Sequence, residues 1–307
     1  MEGSYLKIAY LLLAHNKPNH LVRLVNKLND GLVSFIIHYD LSSDLEEFNF
    51  LKEVFKEEAN VHFVEKRVKG FWGDFSLVRA TLECIKYMYE QNVDYDYAFL
   101  ISGQDFPLKT NSEILEFIRN NKGKQFIHAE KIPTSFWEYG GIDRLEYFHF
   151  NSFKKNETMK KICFKITTKL LKILKVKRKR PNLDFYGGSQ WWCLSREFLN
   201  YTLEYIEANK SFTEFFKYAH VPDEIFFQTL LMNSPYKEDF ENISLTYIDW
   251  DRAEKPAIFR KTDFDLLTSL DNYFLFARKF DGDIDEEIID MLDKHISEKE
   301  KTIASVK

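Results

Sequence analysis

Leu6-Lys7-Ile8-Ala9-Tyr10-Leu11-Leu12-Leu13-Ala14 is an apolar run of strand length, and a helical pattern follows it at once. From Pro18 to Asn29, Leu21, Val22, Leu24, Val25 and Leu28 share one helical face, and Pro18 suits a first turn. The same alternation continues outward. Val33 to Tyr39 reads as a second strand and Val61 to Val64 as a short third. Phe75 to Tyr89 reads as a helix, and Tyr97 to Ser102 as a fourth strand that breaks at Gly103. Thr110 and Glu113 form a capping box for a helix over Ser112 to Arg119, and Gln125 to His128 reads as a fifth strand. Strands alternating with helices predict an α/β fold with a mostly parallel sheet, covered on both faces. Ligands in such sheets bind beyond the carboxyl ends of the strands. His15 and Asn16, His38 and Asp40, and Gln104 and Asp105 are therefore candidates.

The second half is less regular. Gln190 to Leu194 reads as a strand, with Ser195 capping the helix after it. Val221 to Met232 reads as a helix with Pro222, Asp223 and Glu224 in its first turn. Ile243 to Ile248 reads as a strand, and Asp283 to Lys301 as a polar-ended helix. With no Gly/Ser-rich linker, repeat or low-complexity tract, the 307 residues predict a single domain.

Composition bounds the function. Hydrophobic residues at 45% and charged residues at 30% exclude a disordered chain. No run approaches the ~20 apolar residues of a membrane-spanning helix. The first apolar run lacks a basic leader and a cleavage site, so it reads as a buried strand. Cys84, Cys163 and Cys193 form no CxxC pair, which argues against a disulfide framework and for a reducing cytoplasm. Aromatic residues reach 16%; their faces suit sugar rings, but most sit at periodic apolar positions and read as core. Lys154 to Arg180 holds twelve Lys or Arg and one acid, Glu157, a local charge of +11 in a chain whose net charge is −5. Such a split marks a loop, tail or binding surface.

No GxGxxG follows the first strand, no P-loop occurs, and Gly187-Gly188-Ser189 is not a nucleophile elbow. The eight histidines form no metal-ligand spacing. A parallel α/β sheet without these motifs leaves nucleotide-sugar transferases, many of which hold a divalent ion with a DxD after a strand. Asp94-Tyr95-Asp96 precedes its strand and reads as a polar turn; Asp283-Ile284-Asp285 opens an acidic helix.

Five collinear segments resemble one family. Ala98-Phe99-Leu100-Ile101-Ser102-Gly103-Gln104-Asp105-Phe106-Pro107-Leu108-Lys109-Thr110 is similar to the "SGxDFPxKT" segment of the core-2/I-branching β-1,6-N-acetylglucosaminyltransferases. These form glycosyltransferase family 14 with the peptide O-xylosyltransferases. Ile37-His38-Tyr39-Asp40 resembles "IHxD", Gly188 to Glu197 resembles "GSxxxxxSRE", Val221-Pro222-Asp223-Glu224 resembles "xPDE", and Phe276 to Asp281 resembles "FAxKFD". Golgi members add a membrane anchor and disulfides. Without these, the chain resembles a bacterial cytoplasmic relative that moves N-acetylglucosamine, or xylose as the alternative, in surface polysaccharide synthesis. A non-catalytic carbohydrate-binding protein of this fold is the other alternative.

The resemblance implies a GT-A type, Rossmann-like fold and inverting transfer from a UDP-sugar to a glycan hydroxyl, with no metal and no other cofactor. It also implies a catalytic domain over residues 1–282, with a basic insert at about 150–182 and a C-terminal helix and tail over 283–307. By resemblance Glu224 is the general base, and Asp40 contacts the uridine portion. Asp105 contacts the donor sugar or shapes the turn before Pro107. Lys279 neutralises the diphosphate together with an arginine, first Arg252 and second Arg260. Trp191 and Trp192 are candidates for stacking on an acceptor sugar, and strand alternation allows one of them to do so.

The basic insert has two readings. Leu170, Leu171 and Leu174 beside Lys165, Lys169 and Lys172 fit an amphipathic helix on an anionic membrane, with Lys177-Arg178-Lys179-Arg180 as a cationic patch. That would bring the enzyme to lipid-linked glycan acceptors. The same pattern also fits a soluble helix with its leucines on the core. No nucleic-acid motif accompanies the patch.

Overall fold

The computed structural model describes residues 6–149, 170–171, 173–174 and 176–306. Its centre is a seven-stranded sheet in the order β3-β2-β1-β4-β7-β6-β8. The strands are β1 (Ile8–Ala14), β2 (Ser34–Tyr39), β3 (Val61–Phe63), β4 (Tyr97–Ser102), β6 (Gln125–Lys131), β7 (Tyr186–Ser195) and β8 (Phe240–Glu241). β1 lies between β2 and β4 in parallel register, with Leu12 opposite both Ile37 and Ile101. β7 runs antiparallel between β4 and β6. A second, three-stranded sheet of β5 (Phe106–Pro107), β10 (Phe276–Arg278) and β9 (Thr246–Ile248) stands beside it.

The apolar run of β1 is buried on both faces because helices cover both. Ile8, Tyr10, Leu12 and Ala14 enter one core, and Ala9 and Leu11 enter the other, as the two-residue strand period requires. The first core takes α1 (Pro18–Leu28) through Leu21, Leu24, Val25 and Leu28. The second takes α3 (Ser76–Glu90) through Val78, Leu82, Ile85 and Met88. The first helix begins on Pro18 as expected, after Lys17 in a left-handed conformation.

Several boundaries move. β7 starts four residues before the expected Gln190, because Gly187 and Gly188 interrupt the apolar pattern while still pairing with β6. The strand expected over Ile243–Ile248 shortens to Thr246–Ile248. The Val221–Met232 helix is two pieces: a one-turn 3-10 helix over Pro222–Glu224, then an α-helix over Phe226–Met232. The capping box of Thr110 and Glu113 is present, and Ser195 caps Arg196–Ala208 by accepting from the Phe198 N–H. The C-terminal helix, Glu287–Val306, places Ile288, Ile289, Leu292 and Ile296 in the first core. It also pairs Asp290 and Asp293 with Arg23 of α1 at 2.6 and 3.2 Å.

Of the basic insert, residues 150–169, with Lys172 and Lys175, lie outside the described residues, as does Cys163. The 177–180 cluster is not a uniform solvated patch. Arg178 is buried, donating to the carbonyls of Leu145 and Phe215 and lying over the Phe215 ring. Lys177 pairs with Glu146 at 2.7 Å but is itself exposed, as are Lys179 and Arg180. Leu170, Ile173 and Leu174 are exposed rather than packed. Among the described residues no helix is long and apolar enough to cross a membrane.

Candidate active site

A cavity of about 1190 Å³ opens at the carboxyl ends of β1, β2 and β4. His15 and Asn16 reach it from β1, Asp40 from β2, and Gly103 and Gln104 from β4. β7 runs the other way, so its amino-terminal part, Gly188 to Trp191, lies at the same end. β9 and β10 supply Thr246, Tyr247, Ile248, Arg278 and the following Lys279. Asp223 and Glu224 enter on the 3-10 turn.

That turn is entered under strain. Val221 has φ +51°, which a β-branched residue rarely adopts. It is held there by its N–H bond to the Gly73 carbonyl at 3.1 Å. Strain of this sort is kept where the surroundings over-determine it, commonly at functional sites. Because the turn is a separate 3-10 piece, Glu224 does not sit in the first turn of an α-helix, where the helix dipole would favour its ionised form. A single side chain stands in its place: Arg144 Nη1 donates to Glu224 Oε2 at 2.7 Å. Burial pushes the Glu224 carboxyl above the ordinary carboxylate range, and Arg144 opposes that rise. The second oxygen, Oε1, has no protein partner among the described residues.

Arg144 comes from a short helix, Ile142–Glu146, and its guanidinium lies 3.7 Å from the centre of the Trp137 ring. Trp137 in turn covers Gly187, where an added Cβ would stand 2.2 Å from the indole. The glycine is therefore required for the ring that seats the arginine that holds the glutamate. Beside Glu224, Asp223 is buried and its Oδ1 has no hydrogen-bond partner among the described residues. Burial and then the neighbouring Glu224 charge push its pKa up to about 7.

A cationic pair marks another part of the cavity. Lys279 lines it, and burial and then the adjacent Arg278 hold its pKa below the usual lysine range. Arg278 also lines it and is largely buried, with 15% of its side chain exposed. Its Nε is 3.4 Å from Asp105 Oδ1 and makes no hydrogen bond among the described residues, and its guanidinium lies 4.1 Å from the centre of the Trp191 ring.

The remaining expected residues divide. Asp40 reaches the cavity, with Oδ2 accepting from Gly70 N–H at 2.6 Å and Oδ1 from Ser42 N–H at 2.7 Å. An added Cβ at position 70 would sit 2.7 Å from Asp40 Oδ2, so that loop needs glycine. Asp105 is fully buried behind the wall, accepting from the Ser102 N–H and hydroxyl and facing Arg278. Its place is in the turn after β4, outside the cavity lining. Arg252 does not line the cavity. It is bidentate to Asp263 at 3.0 and 2.8 Å and pairs with Asp249 at 2.8 Å. Arg260 is also absent from the lining. Both tryptophans are buried, because β7 is covered on both faces. Trp191 lines the cavity under Arg278, whereas Trp192 packs on Phe227 at 5.3 Å, away from it. Asp94 and Asp96 lie at the start of β4, bound to Lys7 and Arg196, at the opposite end of the sheet. Among the described residues no group of three or more His, Cys, Asp or Glu gathers as a metal site.

Arg144, Trp137 and Trp72 were not among the expected residues, and no local motif announces them. Arg278 stands inside a quoted motif, next to Lys279, and that adjacency was its only signal.

The sequence matches the family model "Branch: Core-2/I-Branching enzyme" over residues 8–268. It is 27% identical over 317 residues to xylosyltransferase 2 of Rattus norvegicus, covering 96% of this chain and 34% of that protein. It is 25% identical over 317 residues to xylosyltransferase oxt of Drosophila melanogaster, covering 95% of this chain and 34% of that protein. The chain thus spans about a third of the length of the curated relatives it matches. The apo crystal structure of mouse xyloside xylosyltransferase 1 superposes with a TM-score of 0.38 at 13% identity, over 88% of this chain and 96% of that one. The match covers the strands and loops that build the cavity from Ile8 to the 3-10 turn, and the chain belongs to the Core-2/I-Branching enzyme family.

Proposed function

We propose that this protein is an inverting glycosyltransferase that moves a sugar from a UDP-sugar to a hydroxyl of a glycan acceptor, without a metal. The observation that carries the reading is one cavity holding a carboxylate with a free oxygen, Glu224, together with an adjacent cation pair, Arg278 and Lys279. Glu224 Oε1 takes the proton of the acceptor hydroxyl, and the acceptor oxygen attacks the anomeric carbon. The bond from that carbon to the diphosphate breaks, and UDP leaves with the electron pair. A single displacement inverts the anomeric centre. Lys279 and Arg278 face the negative charge that grows on the leaving diphosphate, the task a divalent ion performs elsewhere. Arg278 takes the place expected for Arg252, whose Nε, Nη1 and Nη2 are each paired with Asp249 or Asp263.

N-acetylglucosamine is the first donor sugar in this reading. Xylose is the second, favoured by the names of the xylosyltransferase relatives. A cytoplasmic role in bacterial surface polysaccharide synthesis belongs to the same proposal. So does a peripheral membrane contact, carried by exposed Leu170, Ile173 and Leu174 more than by the 177–180 cluster. The test is UDP release in excess EDTA with UDP-N-acetylglucosamine, UDP-xylose, UDP-glucose and UDP-galactose, each with and without added Mn²⁺. Release from one donor without Mn²⁺ is expected. Release only with Mn²⁺ would overturn the metal-free mechanism, and no release from any donor would count against transfer.

A further inference from the structure

Six exposed or half-buried aromatic rings line the cavity: Trp72, Phe136, Trp137, Tyr247, Trp250 and Phe274. Trp72 is the most open of these, at 73% exposed. A single exposed apolar residue is ordinary on a surface, but an indole left open in the wall of a large cavity is available to a ligand. Its backbone is not loose. The next residue, Gly73, accepts the Val221 N–H, and the indole meets the His220 ring edge-on at 5.8 Å. His220 N–H in turn donates to the Arg144 carbonyl at 3.0 Å. Trp72 is thus fastened to the same strained segment that presents Glu224, and to the residue that holds Glu224.

Trp250 is tied elsewhere. It follows β9 and adjoins Asp249, which pairs with Arg252, and the nearby Lys255 and Lys279 line the cavity with it. That places Trp250 with the cations and Trp72 with the base. The base must touch the acceptor hydroxyl, so a ring fastened to the base's own segment is on the acceptor's side.

We propose that Trp72 is an acceptor platform: the sugar that bears the reacting hydroxyl lays a C–H face on its indole, so the acceptor is a saccharide and not a peptide. A pyranose presents apolar C–H groups on its faces and hydroxyls around its edge. The surroundings match that division, since the indole supplies an apolar face while Arg144, His220 and Glu224 supply polar groups beside it. This inference rests on the glycosyltransferase reading above for the role of Glu224, but the saccharide contact itself can be measured without turnover.

The experiment titrates the protein, saturated with UDP, with lactose, N,N′-diacetylchitobiose and xylobiose, reading tryptophan emission. A Gly-Ser repeat peptide serves as the comparison, and UDP binding is measured separately by calorimetry. At least one saccharide is expected to give a saturable change. Trp72→Ala should weaken its affinity roughly tenfold, and Trp72→Phe should restore part of it. UDP affinity should be the same in all three proteins. Equal saccharide affinity in Trp72→Ala would overturn the platform, as would a saturable response to the peptide alone, or no saccharide response from a protein that binds UDP. Trp72-dependent saccharide binding by a protein that does not bind UDP would leave the platform standing and remove the donor reading.

Discussion

Arg144 Nη1 donates to Glu224 Oε2 at 2.7 Å while its guanidinium lies over the Trp137 ring, so one arginine both orients the carboxylate and opposes the rise in its pKa that burial causes. Burial alone would favour a protonated, catalytically idle Glu224; the arginine works against this. Removing it should let the Glu224 pKa rise further. Arg144→Ala is therefore expected to move the acidic limb of the kcat/KM pH profile to higher pH, with a larger loss of rate at pH 6 than at pH 8. Arg144→Lys should lie between it and the native enzyme. A uniform loss at all pH values would show that Arg144 acts by another route.

The two arginines separate cleanly. Arg278 is poised in the cavity with an unspent donor, whereas Arg252 is consumed by Asp263 and Asp249. Arg278→Ala should weaken UDP binding by roughly tenfold or more, since a charge-assisted contact in a partly dry site is a strong one. Arg252→Ala should lower the melting temperature by freeing two carboxylates, with UDP affinity changed little. Calorimetric titration with UDP and thermal melts of both variants check this, and the reverse pattern would return the diphosphate role to Arg252.

Asp223 makes stability depend on pH. Its folded-state pKa of about 7 lies above its unfolded value near 3.8. Below pH ~4 both states hold the proton, and the site adds no pH dependence. Between there and pH 7 the unfolded chain ionises freely while the fold retains the proton, so stability falls as pH rises. Asp223→Asn removes that loss. Its melting temperature relative to the native protein should climb between pH 4 and pH 7 and then level off. A pH-independent difference would mean that Asp223 ionises normally in the fold.

The fold was legible where burial leaves a long, unbroken pattern. Ile8–Ala14 and Tyr97–Ser102 are central strands covered on both faces, so their apolar runs are continuous and their ends are sharp. β7 was cut short because Gly187 and Gly188 serve close approach, and their lack of side chains looks like a strand end. The break at Ile225 was hidden because Val221–Met232 has helical composition throughout, and the strain at Val221 comes from its bond to Gly73, far away in sequence. The same limit applies to the site. Lys279 and Glu224 sit in short motifs, but Arg144 acquires its meaning only when the fold brings residue 144 to residue 224. Arg252 looked available because its partner Asp263 is eleven residues away and no local pattern shows the pair.

The most direct test of the account is the transfer rate of Glu224→Gln, measured beside UDP affinity on the same preparation. The substitution keeps the side chain's shape and removes its basicity. Transfer is expected to fall by roughly 10²-fold or more, with UDP affinity unchanged. Near-normal transfer by Glu224→Gln would contradict the assignment of the base, and with it the mechanism built on this cavity.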